Sequence, residues 1–158
     1  MFKTSLIAGA VALASVLPAY AEIQIEDAYA RSASPMAKSG AAFMMIRNTD
    51  GSADRLIGAA SDAAARTELH THLAGENGVM RMVHVEEGFE LPADGMIAMQ
   101  RGGKHVMLMG LKQPMEQGAT VTITLTFEKA GDVVIEVPVD LERQDHGGMQ
   151  HGQIKSGN

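Results

Sequence analysis

The segment Val121-Thr122-Ile123-Thr124-Leu125-Thr126-Phe127 alternates apolar and hydroxyl side chains without a break. Successive residues of a strand point to opposite faces, so this segment is a strand with Val, Ile, Leu and Phe on a core and three Thr facing out. Most of the chain reads the same way. Short apolar runs are punctuated by Gly, Asp, Asn and Pro, and no long segment carries a helical period. Strands are expected at 23–30, 41–47, 55–60, 66–72, 80–85, 96–99, 105–109, 121–127 and 132–137. Turns are expected at Asn48-Thr49-Asp50-Gly51, Glu76-Asn77-Gly78 and Ala93-Asp94-Gly95. A single helical turn is expected over residues 111–113, before Pro114. This pattern predicts an all-β sandwich or barrel.

The two ends stand apart from that pattern. Lys3, the apolar run from Leu6 to Leu17 and the small-x-small site Ala19-Tyr20-Ala21 have the form of a secretory signal peptide. The run is shorter than the ~20 residues a spanning helix needs. Cleavage is expected after Ala21, leaving a domain over 22–141 that does not insert in a membrane and works in an oxidising compartment, the bacterial periplasm. Beyond Leu141 the chain turns polar and rich in Gly and Gln, and residues 142–158 are expected to form a flexible tail.

Composition removes several function classes. The sequence holds 13 Lys and Arg against 19 Asp and Glu, with no basic cluster, so nucleic acid is not an expected partner. There is no Cys, which removes disulfides, thiolate metal sites, cysteine nucleophiles and a blue-copper centre. No nucleophile elbow and no acid–base constellation is visible, so no enzymatic activity is expected. The outlier is methionine: 12 residues against four Phe, two Tyr and no Trp.

Three segments place His and Met in strand register. They are His70-Thr71-His72, Met80-Arg81-Met82-Val83-His84 and His105-Val106-Met107-Leu108-Met109. Residues i and i+2 share a face, so converging strand ends would bring imidazoles and thioethers together. A single Met in a strand is ordinarily a core filler. Thioether is also a soft, neutral ligand that suits Cu(I), and imidazole suits copper in either oxidation state. A mixed His and Met set without Cys therefore points to copper rather than zinc. Arg81 and Lys104 flank these positions.

The stretches Glu68-Leu69-His70, Gly78-Val79-Met80-Arg81-Met82 and Gly103-Lys104-His105-Val106-Met107-Leu108-Met109-Gly110-Leu111 resemble the periplasmic PCu(A)C copper chaperones. The segment from Gly40 to Asn48 is similar to the family's second strand, and the resemblance runs from about Ile23 to Val139. The family pattern is a His, ten residues, a Met, twenty-one residues, then His-x-Met. Here 11 residues separate His70 from Met82 and 22 separate Met82 from His105. The extra residues are expected in the turns at 74–77 and 91–95, since a slip inside a strand would invert its faces. Parity does not separate His70 from His72 or Met82 from Met80. His70 is favoured because it follows Glu68-Leu69, and Met82 because it lies closer to the family spacing.

The resemblance implies a cupredoxin-like Greek-key β-sandwich, monomeric, binding one Cu(I) through His70, Met82, His105 and Met107. It implies delivery of that copper to a haem–copper (cytochrome c) oxidase centre, alongside or through a Sco-type copper protein. A copper buffer or scavenger without a dedicated acceptor is the alternative. His146, Met149 and His151 resemble the His- and Met-containing extension that binds Cu(II) in some members.

Overall fold

The computed structural model describes residues 22–144. The expected signal peptide, and His146, Met149 and His151, lie outside the described residues. Ten strands run in order: β1 (Ile23–Ser32), β2 (Ser39–Asn48), β3 (Asp54–Ala60), β4 (Ala64–Ala74), β5 (Met80–His84), β6 (Phe89–Leu91), β7 (Met96–Met99), β8 (His105–Leu111), β9 (Thr120–Phe127) and β10 (Gly131–Pro138). They form two antiparallel sheets, as the alternating pattern predicts. One has the order β1-β2-β8-β4-β5, with β7 also on β2; the other has the order β10-β9-β3-β6.

The core lies between the sheets. Val121, Ile123, Leu125 and Phe127 are all buried, as are Leu56 and Leu91 from their own sheet. Facing them are Ala42, Met44 and Ile46 of β2, Leu69 of β4, and Val106 and Leu108 of β8. The outward Thr122 and Thr126 donate to Glu136 and Asp132 of the neighbouring strand. Met44 and Met99 oppose each other in the β2–β7 ladder and are both buried in the core, as is Met115. These thioethers are packing residues, each worth roughly 1.5–3 kcal/mol of burial.

Two local expectations change. No helical turn forms over residues 111–113. Leu111 is instead the buried last residue of β8, and the backbone donors of Leu111 and Lys112 go to Lys38 and Ala63 of neighbouring segments. Those donors are then not available to a turn of helix. A strand also forms that the punctuation hid. β6 is three residues long, buries Phe89 and Leu91, and pairs with β3. Gly88 makes that approach possible: its φ is +72°, and a Cβ there would lie 2.0 Å from the Leu56 carbonyl oxygen.

One feature of topology positions the site. β8 pairs with the first half of β2, and β7 pairs with the second half of the same edge. The chain leaves that edge at Met99 and rejoins the sheet at His105, with the exposed turn 100–104 between. Gly103 closes this turn by donating to Gln100. Its carbonyl faces the outer surface of β8 and β4.

Candidate metal centre

Register fixes which side chains share the outer face. His70 stands opposite His105 across β4 and β8, and Glu68 stands opposite Met107. His72 stands opposite Met82, and His70 opposite His84, across β4 and β5. Leu69, Val106 and Leu108 alternate with these residues and point into the core. The expected convergence of three His/Met strands therefore occurs on adjacent strands. The connections at 75–79 and 92–95 lie outside the strands, while Ala74 and Leu91, the first residues of the two expected turns, are the last residues of β4 and β6.

His105, Met107, Met82 and His72 line one cleft of about 510 Å³, together with Arg31, Ala41, Phe43 and Arg101. His105 is 2% exposed, and Met82 is 46% exposed. The site thus has a buried imidazole at its base and an open thioether at its rim. His70 does not line this cleft. It lies next to His105 with ring centroids 5.8 Å apart, while the His72 and His105 centroids are 5.4 Å apart. An imidazole nitrogen about 2.0 Å from a metal ion puts the ring centroid roughly 3 Å from it, so two rings sharing one ion have centroids roughly 5–6 Å apart. Both pairs meet that condition. Met80 lies two residues beyond Met82 on the same face, opposite Ala74, and is not a lining residue of the cleft.

Hydrogen bonds set the state of the imidazoles. The Gly103 carbonyl can only accept, so Nδ1 of His105 carries the hydrogen at 3.0 Å from it, and Nδ1 of His72 donates to the same oxygen at 3.3 Å. The remaining nitrogen of His105, Nε2, is buried and has no hydrogen-bond partner among the described residues. His70 is the mirror case. Its Nε2 lies 2.8 Å from Glu68 Oε2, and its Nδ1 is buried without a partner. A buried nitrogen without a partner costs stability in the free protein. Two of them lie in neighbouring rings, where their lone pairs could be satisfied by a metal ion. Burial pushes the His105 pKa below its ordinary 6.5, with the nearby His72 and His70 adding to the shift and the bond to Gly103 opposing it. The shift favours the neutral ring, the form that metal ligation requires. The hydrogen bond from His70 holds the Glu68 carboxyl below its ordinary 4.5 against the opposing effect of burial, with smaller help from His84 and Arg66.

Among the described residues no three or more His, Asp or Glu side chains are grouped to hold a metal ion. The donor set of the cleft is imidazole and thioether, which selects a soft cation. Sequence reasoning did not single out Arg31, Arg101 or Phe43 as cleft residues. Their only signal would have been the strand register across β1, β2 and the 100–104 turn. The two flanking cations part company with the site. Lys104 places its ammonium 5.6 Å from the Phe89 ring, and Arg81 alternates with Met82 onto the other face of β5.

The family model described as "Putative lipoprotein LpqE-like" matches residues 23–139. The chain belongs to this LpqE-like, or PCu(A)C, family. A relative in Leifsonia xyli subsp. xyli, named "Putative lipoprotein Lxx21020", is 35% identical over 119 residues, covering 74% of this chain and 69% of its own. Among solved structures, the copper-bound PCu(A)C domain of PmoF2 is similar at a TM-score of 0.63 and 27% identity, over 78% of this chain and 96% of that domain. The Cu(I) form of DR1885 from Deinococcus radiodurans is similar at a TM-score of 0.57 and 32% identity, over 83% and 84% of the two chains. The resemblance drawn from the His/Met motifs thus holds for the family and for its two-sheet all-β fold.

Proposed function

We propose that this PCu(A)C protein is an exported, non-enzymatic copper chaperone that binds Cu(I) through His70, Met82, His105 and Met107. The observation that carries the reading is the pair of buried, partnerless nitrogens on His70 and His105, set beside two thioethers on the same face. Copper-bound solved relatives support the choice of metal. Four neutral ligands leave the ion with its single positive charge, which favours Cu(I) over Cu(II). The exposed rim thioether Met82 is the ligand an incoming donor displaces first. Transfer then needs only an acceptor of higher affinity, without a chemical step in the chaperone.

The export reading rests on the N-terminal 21 residues and on the lipoprotein name carried by the relative. The compartment that fits is the periplasm. The acceptor that fits is a haem–copper oxidase copper centre, reached directly or through a Sco-type protein. His146, Met149 and His151 supply a second site, for Cu(II), on the tail.

The test is a Cu(I) titration of the exported protein against a competing chelator, followed by mixing with the soluble copper domain of an oxidase subunit. One tight equivalent is expected, lost in His105→Ala, Met107→Ala and His70→Ala, with transfer to the oxidase domain. His72→Ala is the comparison for His70→Ala: loss there with retention in His70→Ala moves the imidazole assignment to His72. Tight binding without transfer leaves a copper buffer. Cu(II) paramagnetic resonance of a His146→Ala/His151→Ala variant tests the tail.

A further inference from the structure

We infer that Glu68 is a positioning residue for copper, fixing His70 so that it offers Nδ1 while His105 offers Nε2. This rests on the copper reading above and names the group that orients one of its ligands. Glu68 sits on β4 two residues before His70, on the same face, and its Oε2 lies 2.8 Å from His70 Nε2. A carboxylate accepts, so the His70 hydrogen is on Nε2 and the lone pair of the neutral ring is on Nδ1. That Nδ1 is buried and has no partner. On β8 the Gly103 carbonyl does the reverse to His105, placing the hydrogen on Nδ1 and leaving Nε2 buried and partnerless. The two residues are direct cross-strand neighbours. One ring is pinned by a carboxylate and the other by a backbone carbonyl, through opposite nitrogens, and each leaves one lone pair to be satisfied.

Glu68 is itself held. Arg66 Nε lies 3.1 Å from its Oε1, and His84 Nδ1 lies 3.7 Å from its Oε2. The same Arg66 donates to Met109 Sδ at 3.6 Å. The carboxylate therefore has an oxygen for His70 and another for Arg66, and it cannot swing away without giving up both. Among the described residues His72 has no such carboxylate contact; its Nδ1 shares the Gly103 carbonyl with His105 at the longer 3.3 Å. Metal-bound imidazoles commonly donate their second N–H to a carboxylate, which sets the tautomer and strengthens the ligand.

The experiment compares wild type, Glu68→Ala, Glu68→Gln and His70→Ala. The readouts are Cu(I) affinity by chelator competition and the histidine ring nitrogens by long-range ¹⁵N NMR of the diamagnetic Cu(I) form. In wild type, His70 should show a protonated Nε2 and a metal-bound Nδ1, and His105 the opposite. Glu68→Ala should lose about 10–100-fold in Cu(I) affinity and lose the fixed nitrogen pattern of His70, with His105 unchanged. Glu68→Gln keeps an oxygen acceptor but not the charge, so it should keep the pattern and lose less affinity. It is also the isosteric variant that remains informative if Glu68→Ala fails to fold. Metal on Nε2 of His70 in wild type overturns the inference. So does a Glu68→Ala protein with affinity within threefold of wild type. If His70→Ala leaves Cu(I) affinity intact, the ligand assignment itself fails, an outcome distinct from failure of Glu68 alone.

Discussion

Replacing His105 by Leu separates the demands of the metal site from those of the fold. His105 is 2% exposed, with Val106 and Leu108 of its own strand fully buried beside it. Its Nε2 is buried without a partner, a state that costs about 1–3 kcal/mol in the metal-free protein. Its Nδ1–H makes one hydrogen bond, to the Gly103 carbonyl, worth about 0.5–1.5 kcal/mol. Leu removes the cost and the bond together, and Gly103 keeps the His72 donor. Leu is close to His in volume and adds apolar contact with the Phe43 ring, 6.0 Å away between centroids in the native protein. The balance is a metal-free variant about as stable as wild type or more stable by about 1 kcal/mol. For a domain of this size that is a rise of roughly 3–6 °C in Tm. Thermal and urea unfolding of the two metal-free proteins provides the assay, with Cu(I) titration in parallel. Tight Cu(I) binding should be absent in the variant, so added Cu(I) should raise the Tm of wild type only. A metal-free His105→Leu protein destabilised by more than about 2 kcal/mol would refute the argument that the imidazole is kept at a cost to the fold.

The methionines should separate into two classes: Met44→Ala empties a core site and should cost about 2–5 kcal/mol by urea unfolding while leaving Cu(I) stoichiometry unchanged, and Met107→Ala should do the opposite. Asp54 is 7% exposed and accepts from the backbone of Arg55, Lys129 and Ala130, so Asp54→Ala should cost about 2–4 kcal/mol in chemical unfolding by freeing donors that tie β3 to the β9–β10 turn. Stability should fall with acid in two stages. Burial lowers the folded pKa of His105 below 6.5, so the unfolded chain takes up that proton first and stability declines as pH drops below 6.5. Glu68, held below 4.5, stabilises the fold above that value and loses its contribution as pH falls further. Unfolding of His105→Leu across the same range should lack the upper stage.

Alternation, together with the punctuation of apolar runs by Gly, Asp, Asn and Pro, places nine of the ten strands, because a half-buried strand writes its two faces into the sequence with period two. Two local errors come from what alternation does not carry. β6 is three residues long, and only the close approach of Gly88 to β3 makes it a strand. Leu111 is drawn into β8 because its donor finds Lys38, a partner distant in sequence. The chemical type of the site was also legible. His and Met without Cys define a soft-cation donor set whatever the fold, and parity puts His70 with His72 and Met80 with Met82 on one face. Parity could not decide between the members of each pair, since both satisfy it. The tertiary structure sets both His70 and His72 beside His105, since β8 lies between β2 and β4, and the 100–104 turn brings the Gly103 carbonyl over His72 and His105. Which nitrogen keeps its hydrogen is set by neighbours two residues away, Glu68 for His70 and Gly103 for His105, whereas the burial that leaves the other nitrogen bare depends on contacts between strands. No local pattern records contacts of that kind.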